Sequence, residues 1–537
     1  MPFGKLLTNL TDETLEHSLQ CFAPELALCV TIVVLLLLRL FCSADRWIPP
    51  YITALIGALT TLFLAGSQLY HLQGDEGLVQ EFFSGMLVFD HLSAFIRGLL
   101  ALFLVLVIAL TVLSGIPDRE DGPDFYTLLL GSSIGMMMMA SANHMLMFFL
   151  AIEMASVPSY VMVGFLKGRR PSSEAAFKYV VYGAGAAGVM LYGISLLMGL
   201  LGTGSLPELA THLSAVLDSD AGIGDATSRA ILLAMLMVLV GLAFKLSIVP
   251  FHFWCPDAFE GATAEVAGFL SVASKGAAFA LLVRFCLAFV GGSEVPIAGV
   301  FTGLGVAIGV VAIVTVTFGN LAAYSQTNVK RLLAYSTIAH AGYMLMAVAA
   351  LVVVRSSGDT VAGFDVEKSA VRCVEGLLFY LFVYLFMNLG AFAVVALIRN
   401  EIFSEEIEDY NGIGWQAPAL CICMAICMFS LVGLPPLGGF WGKLVIFMSL
   451  FEAGQVHWFM YVMLVVAGLN TVFSLFYYIR VLRAMFIGER SADSRPVDVP
   501  APIGNYALLI AIPVLLLGVF PTWTTNLAKE IADKMLG

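Results

Sequence analysis

Charge is what this sequence has little of. Of its 537 residues only 12% are Asp, Glu, Lys or Arg, against 60% that are hydrophobic. A soluble domain carries about twice that share of charge, and a mean hydropathy of +0.94 excludes a string of such domains. Basic tracts are missing too. The net charge of -12 sits mostly in short acidic stretches such as HLQGDEG and SEEIEDY, so nucleic acid is excluded as a partner. The nine cysteines lack metal-ligand pairing. The densest group, CICMAIC at Cys421, Cys423 and Cys427, lies in an apolar segment and reads as small core residues. No His or Cys cluster has haem, zinc or iron-sulfur spacing, no Gly-x-Gly phosphate loop follows a strand, and no nucleophile sits beside a base. His252 is a lone histidine among aromatics and reads as a packing or capping residue. Before the first apolar segment the chain reads NLTDETLEHSLQ. That stretch lacks a basic start and a small-residue cleavage site, so the segment is expected to be retained as a helix.

What the chain has in abundance is long apolar runs. About fourteen are long enough to cross ~30 Å of hydrocarbon, which takes roughly 20 helical residues. The expectation is an all-α polytopic membrane protein in a lipid bilayer. The fourth and fifth runs, 125–142 and 144–165, are joined only by ASANHM, and the twelfth, 417–450, is too long for one plain span. With the N-terminus outside, the odd-numbered loops hold most of the basic residues, among them Arg46, Arg119, Lys167, Arg169, Arg170, Lys178, Lys330, Arg331, Arg399 and Arg480. The even-numbered loops hold few, chiefly Arg229, Arg355, Lys368 and Arg372. Basic short loops favour the cytoplasmic side, which predicts an outside N-terminus.

Two runs are interrupted. FKLSIVPFHFWCPDAFEGA puts Pro250 and Pro256 in the path of the seventh, and FSLVGLPPLGGFWGKLVIF puts Pro435 and Pro436 between glycines in the twelfth. Proline removes a backbone donor and clashes with the preceding turn, so both helices should break at membrane depth, where irregular backbone survives only inside protein or beside water. Broken helices in both halves of a chain point to inverted repeats around a transport path. Glu153 and His340 lie 187 residues apart, each in the second helix of its half, and Pro250 and Pro436 lie 186 apart, each in the fourth. These offsets divide the chain into three N-terminal helices over 1–124, a first repeat over 125–290, a second over 291–490, and a last helix over 491–537.

With loops set aside, the polar residues noted within spans are Arg97, Glu153, Lys245, Lys275, Arg284, His340, Glu375 and Lys443. Each costs a few kcal/mol or more to bury. Glu153 is either a structural carboxylate or the partner of Lys245, which an adjacent carboxylate would hold charged. Lys245 lies about 7.5 Å along the helix from Pro250, where it either snorkels or projects into the cavity beside the break. Approach and withdrawal of Glu153 would then make Lys245 take and release a proton. Lys275 sits mid-span among small residues. His340 is flanked by hydroxyls and has a ring suited to proton relay, the alternative being a satisfied core histidine. Lys443 follows the second break and reads as a path residue or a helix-end cation. Arg97, Arg284 and Glu375 fall nearer span ends and read as interfacial or structural.

At these residues the sequence resembles the antiporter-like membrane subunits of respiratory complex I, NADH-quinone oxidoreductase, and most closely the subunit N group. The resemblance is carried by FAPELALC, FYTLLLGSSIGMMMMASANHMLMFFLAIEMASVPSYVMVGF, GLAFKLSIVPFHFWCPDAFEGATAEVAGFLSVASKGAAF, NVKRLLAYSTIAHAGYML and MFSLVGLPPLGGFWGKLVIF. It implies fourteen helices with two inverted five-helix repeats and a role for this chain in proton translocation, driven by NADH oxidation and quinone reduction elsewhere in the complex. By the same resemblance Glu153, Lys245, Lys275, His340 and Lys443 form the proton path, with the helix breaks at Pro250, Pro435 and Pro436. No cofactor is expected on this chain; NADH, FMN, iron-sulfur clusters and quinone would belong to partner subunits. The implied partners are subunits K and M and their membrane-arm neighbours, and the implied location is the bacterial inner membrane. Mrp-type cation/proton antiporters share the ground plan and remain the alternative, and a non-pumping scaffold is a further one.

Overall fold

The computed structural model describes residues 17–41, 48–74, 79–117, 121–166, 168–217, 226–290, 298–357, 364–489 and 499–536. Of the basic loop residues, Arg46, Arg119 and Lys167 lie outside the described residues. Among the described residues, twelve helices are long and apolar enough to cross a membrane. They are α1 (Ala23–Phe41), α2 (Pro50–Gly74), α3 (His91–Ser114), α5 (Met145–Val163), α6 (Arg170–Leu201), α8 (Ala226–Leu246), α10 (Ala264–Val290), α11 (Ala298–Ala323), α12 (Val329–Ser356), α13 (Val366–Ile402), α16 (Phe459–Ile487) and α17 (Ala501–Val519). Between them stand α4 (Gly122–Ser141), the short amphipathic α7 (Leu206–Leu217), α9 (Trp254–Gly261), and α14 (Pro418–Val432) with α15 (Gly438–Ala453); α18 (Thr522–Leu536) follows. Helix α4 and the α14–α15 pair fill the two remaining apolar runs read from the sequence.

Two helices begin earlier than their apolar runs suggest. In α6, Pro171 stands just inside the start, where its missing N–H is not needed, and Lys178 pairs with Glu174 at 3.0 Å and with Asp257 at 2.9 Å. In α13, Asp365 accepts from the Lys368 N–H at 3.0 Å and caps the helix. Lys178, Lys368 and Arg372 are therefore helical rather than loop residues, because charge satisfied at a helix end does not stop the helix.

The chain divides into two compact units. The first holds Met1–Met162, Ala187–Leu239 and Gly276–Phe289. Here the strands β1 (Gln80–Phe82) and β2 (Leu87–Phe89) form an antiparallel hairpin with Glu81 opposite Val88. Behind it Arg97 Nε lies 2.6 Å from Glu25 Oε1 with both side chains fully buried, and the guanidinium stands over Phe82 and Phe89. Asp90 caps α3 in a reciprocal capping box with Ser93. Its Oδ1 also pairs with Arg284 Nη2 at 2.6 Å, while Arg284 Nε donates to the Ala140 carbonyl at 2.6 Å. Arg97 and Arg284 thus have structural partners.

The second unit holds Val163–Ala186, Val240–Lys275 and Val290–Gly537. Helices α12 and α13 are buried along nearly their whole apolar length, as is α10. Gly319 and Gly342 let α11 and α12 pack backbone to backbone, since a Cβ at either would come within 2.7 Å of the facing main chain.

Both predicted breaks are present. Helix α8 ends at Leu246, ahead of Pro250, because Ser247 turns left-handed at φ 58°. The Trp254 indole N–H donates to the Phe244 carbonyl at 2.9 Å and the ring stacks on Tyr179 at 4.1 Å, holding α9 against the broken end. His252 is buried between Phe253 and Phe318, the packing role read from the sequence. Helix α14 ends at Gly433, with φ 90°, and α15 starts only after Pro435 and Pro436.

Candidate functional site

A row of basic side chains runs along one face of α12 in the second unit. The residues Thr337, His340 and Tyr343 recur every third position, so each stands about 4.5 Å above the last and about 60° round the helix from it. Lys275, projecting from α10, donates from Nζ to the Thr337 carbonyl at 3.0 Å. His340 Nδ1 lies 2.5 Å from the Tyr380 hydroxyl of α13, and Nε2 lies 3.2 Å from the Tyr478 hydroxyl of α16. Lys443 Nζ of α15 stands 4.4 Å from the centre of the Tyr343 ring, a cation–π contact that supports a cation away from water. Lys275, His340 and Lys443 are all at most 3% exposed.

The break in the second unit explains how Lys443 is held. When α14 stops at Val432, its last carbonyls lose their helical donors. Lys443 Nζ reaches back to two of them, Leu431 at 3.0 Å and Val432 at 2.9 Å. A cation at a helix C-terminus is favoured by the aligned peptide dipoles, and a half-helix end inside a membrane protein is a recognised ion-handling device. Lys245 instead precedes its break, in the last turn of α8, and is buried.

His340 can work as a relay. A neutral imidazole donates at one nitrogen and accepts at the other, and here both nitrogens face phenols. The Tyr478 hydroxyl also meets Ser336 Oγ, so the chain of exchangeable protons extends beyond the ring. The neighbouring phenol of Tyr477 donates to Asn320 Oδ1 at 3.0 Å.

Of the residues singled out in the sequence, the structure thus brings Lys275 of α10 and Lys443 of α15 to α12, which carries His340. Glu153 is half-buried on α5 in the first unit, and Lys245 belongs to the second, so their pairing is taken up below. Tyr380 and Tyr478 were not foreseen, because a tyrosine in an apolar run does not stand out by hydropathy. Two buried acids were passed over although they lie within apolar runs: Glu25 in α1, and Glu265 in the first turn of α10. The rule that found Glu153 would have found both.

Residues 142–471 match the family model described as "NADH:quinone oxidoreductase/Mrp antiporter, TM". The chain is 39% identical, over 97% of its own length and 97% of the relative's, to NADH-quinone oxidoreductase subunit N of Anaeromyxobacter sp. (strain Fw109-5).

The chain belongs to the NADH:quinone oxidoreductase/Mrp antiporter family.

Within that family it falls with the subunit N group. A chain of respiratory complex I from Thermus thermophilus with bound aureothin superposes with a TM-score of 0.71 at 29% identity, over 94% of this chain and 98% of that one. A chain of the Mrp complex from Dietzia sp. DQ12-45-1b gives a TM-score of 0.78 at 20% identity, over 96% of this chain and 97% of that one. The second likeness speaks for the family fold alone.

Proposed function

We propose that this chain is the proton-translocating subunit N of a bacterial NADH:quinone oxidoreductase. NADH oxidation and quinone reduction take place on partner subunits, which hold the NADH, FMN, iron-sulfur and quinone sites, and this chain carries no cofactor. It lies in the inner membrane with its N-terminus outside, among neighbours that include subunits K and M. Residues 125–290 and 291–490 act as two inverted repeats, flanked by helices 1–3 over 1–124 and a last helix over 491–537. Glu153 and Lys245 form the switch. Protons pass by Lys275 and His340 to Lys443.

The observation that carries this reading is the buried row Lys275, His340 and Lys443 against α12. Three basic groups sunk in an apolar core cost several kcal/mol each, and each meets a carbonyl, a phenol or a ring face in place of a fixed carboxylate partner. Such groups can change protonation without breaking a structural pair. Moving one charge against 100 mV takes about 2.3 kcal/mol, within the ~3–5 kcal/mol scale of disrupting a buried ion pair. Energy arriving from quinone reduction elsewhere would change the Glu153 to Lys245 distance, a change of the right size to drive the transfer.

The Mrp-type alternative rests on the shared fold and differs in its coupling ion. Purifying the tagged chain from its host membranes separates the two. Redox subunits that co-purify, with NADH-driven proton uptake independent of sodium, support the proposal. Antiporter subunits only, with sodium-dependent exchange, overturn it.

A further inference from the structure

Helix α16 brings Tyr478 to His340, yet much of its surface is not packed against the unit. Val465, Leu469, Val472 and Phe476 stand exposed on one side of it, while Asn470, Ser474, Tyr477 and Tyr478 are buried on the other. Lipid tails are as apolar as the exposed side chains, so apolar contact alone does not choose where such a helix settles against its neighbours. Polar contacts do.

Those contacts converge on Asn320 of α11, which is fully buried. Its Nδ2 donates to Asn470 Oδ1 at 3.0 Å and to the Asn470 carbonyl at 3.3 Å. Its Oδ1 accepts from the Tyr477 hydroxyl at 3.0 Å. Asn470 and Tyr477 are seven residues apart, about 10.5 Å along α16, and the Tyr477 side chain spans the gap by leaning toward the helix start, as helical side chains do. A single amide thus grips α16 at positions two turns apart. Asn470 Nδ2 completes the arrangement, donating to Thr317 Oγ1 at 3.1 Å and to the Val466 carbonyl at 3.0 Å. Every side-chain polar atom of both asparagines therefore has a partner, and rotation or slippage of this turn would leave buried groups without one. Buried asparagines fix the register of packed helices for the same reason.

What the grip places is Tyr478. It follows Tyr477 directly, and the two rings pack with their centres 4.3 Å apart. The Tyr478 hydroxyl meets Ser336 Oγ and lies 3.2 Å from His340 Nε2. That last distance is already at the long end of the hydrogen-bond range, so a shift of a few tenths of an ångström is enough to break the contact.

We infer that Asn320 is a positioning residue of the proton path: through Asn470 and Tyr477 it seats the turn of α16 that carries Tyr478, and so holds the Tyr478 hydroxyl against the His340 ring. Asn320 itself carries no proton, since a neutral amide does not titrate. Its effect on transfer runs through the contact between Tyr478 and His340. An outer tie keeps α16 attached: the Tyr324 hydroxyl donates to the Phe473 carbonyl at 2.7 Å, and Arg480 Nη1 donates to the Tyr324 carbonyl at 2.6 Å. Loss of the amide therefore loosens the turn without freeing the helix.

The inference rests on the proton-translocating reading, and the test separates the two. In inverted membrane vesicles holding the assembled complex, proton uptake per quinone reduced is compared for Asn320→Leu, Tyr478→Phe and the double variant. Asn320→Leu should lower that ratio several-fold, to about the level of Tyr478→Phe. The double variant should be no worse than Tyr478→Phe alone, because the contact is already lost. A merely structural asparagine would lower the amount of complex and leave the ratio at the parent's value, which overturns the inference. A double variant well below both single ones overturns it too, since Asn320 would then act elsewhere. If Tyr478→Phe pumps like the parent while Lys275→Ala does not, the positioning role is wrong and the function stands. If both pump like the parent, the functional reading fails first and the inference with it. Should Asn320→Leu not assemble, Tyr477→Phe decides, because it keeps the ring and removes only the hydroxyl that Asn320 holds. A lowered ratio then supports the inference, and the parent's ratio overturns it.

Discussion

His340 and Tyr380 meet at 2.5 Å within the buried heart of the second unit, ring nitrogen to phenol oxygen. With Tyr478 on the other nitrogen at 3.2 Å, the imidazole has an exchangeable neighbour on each side. Removing a positioned proton carrier slows the transfer it serves by about a hundredfold or more. His340→Ala is accordingly expected to abolish NADH-driven proton uptake in vesicles. Tyr380→Phe keeps the ring and loses one of the two partners, so uptake should fall only partly. Wild-type uptake by His340→Ala would remove the histidine from the path.

The proposed switch predicts coupling between two positions that lie in different units. Glu153→Gln and Lys245→Ala should each depress both quinone reduction and proton uptake. The double variant should be no worse than the poorer single one, because each change alone already removes the pair. Losses that simply multiply would show that the two residues act independently.

A different pair predicts a loss of stability without a direct loss of chemistry. Arg97 and Glu25 are fully buried and lie 2.6 Å apart. Taking away one partner leaves an uncompensated charge and costs about 3–5 kcal/mol, whereas replacing both with apolar residues of similar size is close to neutral. Thermal unfolding of purified complex should show a clear drop for Glu25→Ala. Much of it should be recovered in Glu25→Leu combined with Arg97→Met.

Much of this was legible in the sequence. Apolar runs gave the helix order because the bilayer sets their length, and proline marked both breaks because backbone chemistry is local. The charges Lys275, His340 and Lys443 stood out because apolar surroundings make any charge conspicuous. What could not be read was partnership. Nothing local to His340 points to Tyr380, 40 residues on, or to Tyr478, 138 residues on. Likewise nothing near Lys443 shows that it would turn back to Leu431 and Val432, since that depends on where α14 stops. Glu25 and Glu265 were visible as acids in apolar runs and were overlooked for another reason: each sits within a turn or two of a helix start, where an acidic residue passes as a dipole partner.

The second break itself makes a prediction. Gly433 has φ 90°, and a Cβ there would come within 3.0 Å of Lys443 Cδ. Left-handed backbone costs a non-glycine residue roughly 1–3 kcal/mol at such a site. Gly433→Ala should therefore disturb Lys443 as well as the turn, lowering proton uptake more than it lowers the amount of assembled complex. Gly439→Ala should act more severely on assembly, because its Cβ would run into the Ser430 carbonyl. Equal uptake per assembled complex in Gly433→Ala and the parent would show that the turn does not set the lysine.

The most direct test is proton uptake by vesicles carrying Lys275→Ala in the assembled complex, measured together with quinone reduction in the same preparation. Lys275 Nζ, 3.0 Å from the Thr337 carbonyl, is the first member of the buried row. Uptake per quinone reduced should fall below that of the parent, and coupled quinone reduction should slow with it. Parent-level uptake and quinone reduction in a fully assembled Lys275→Ala complex would contradict the claim that protons cross this chain along α12.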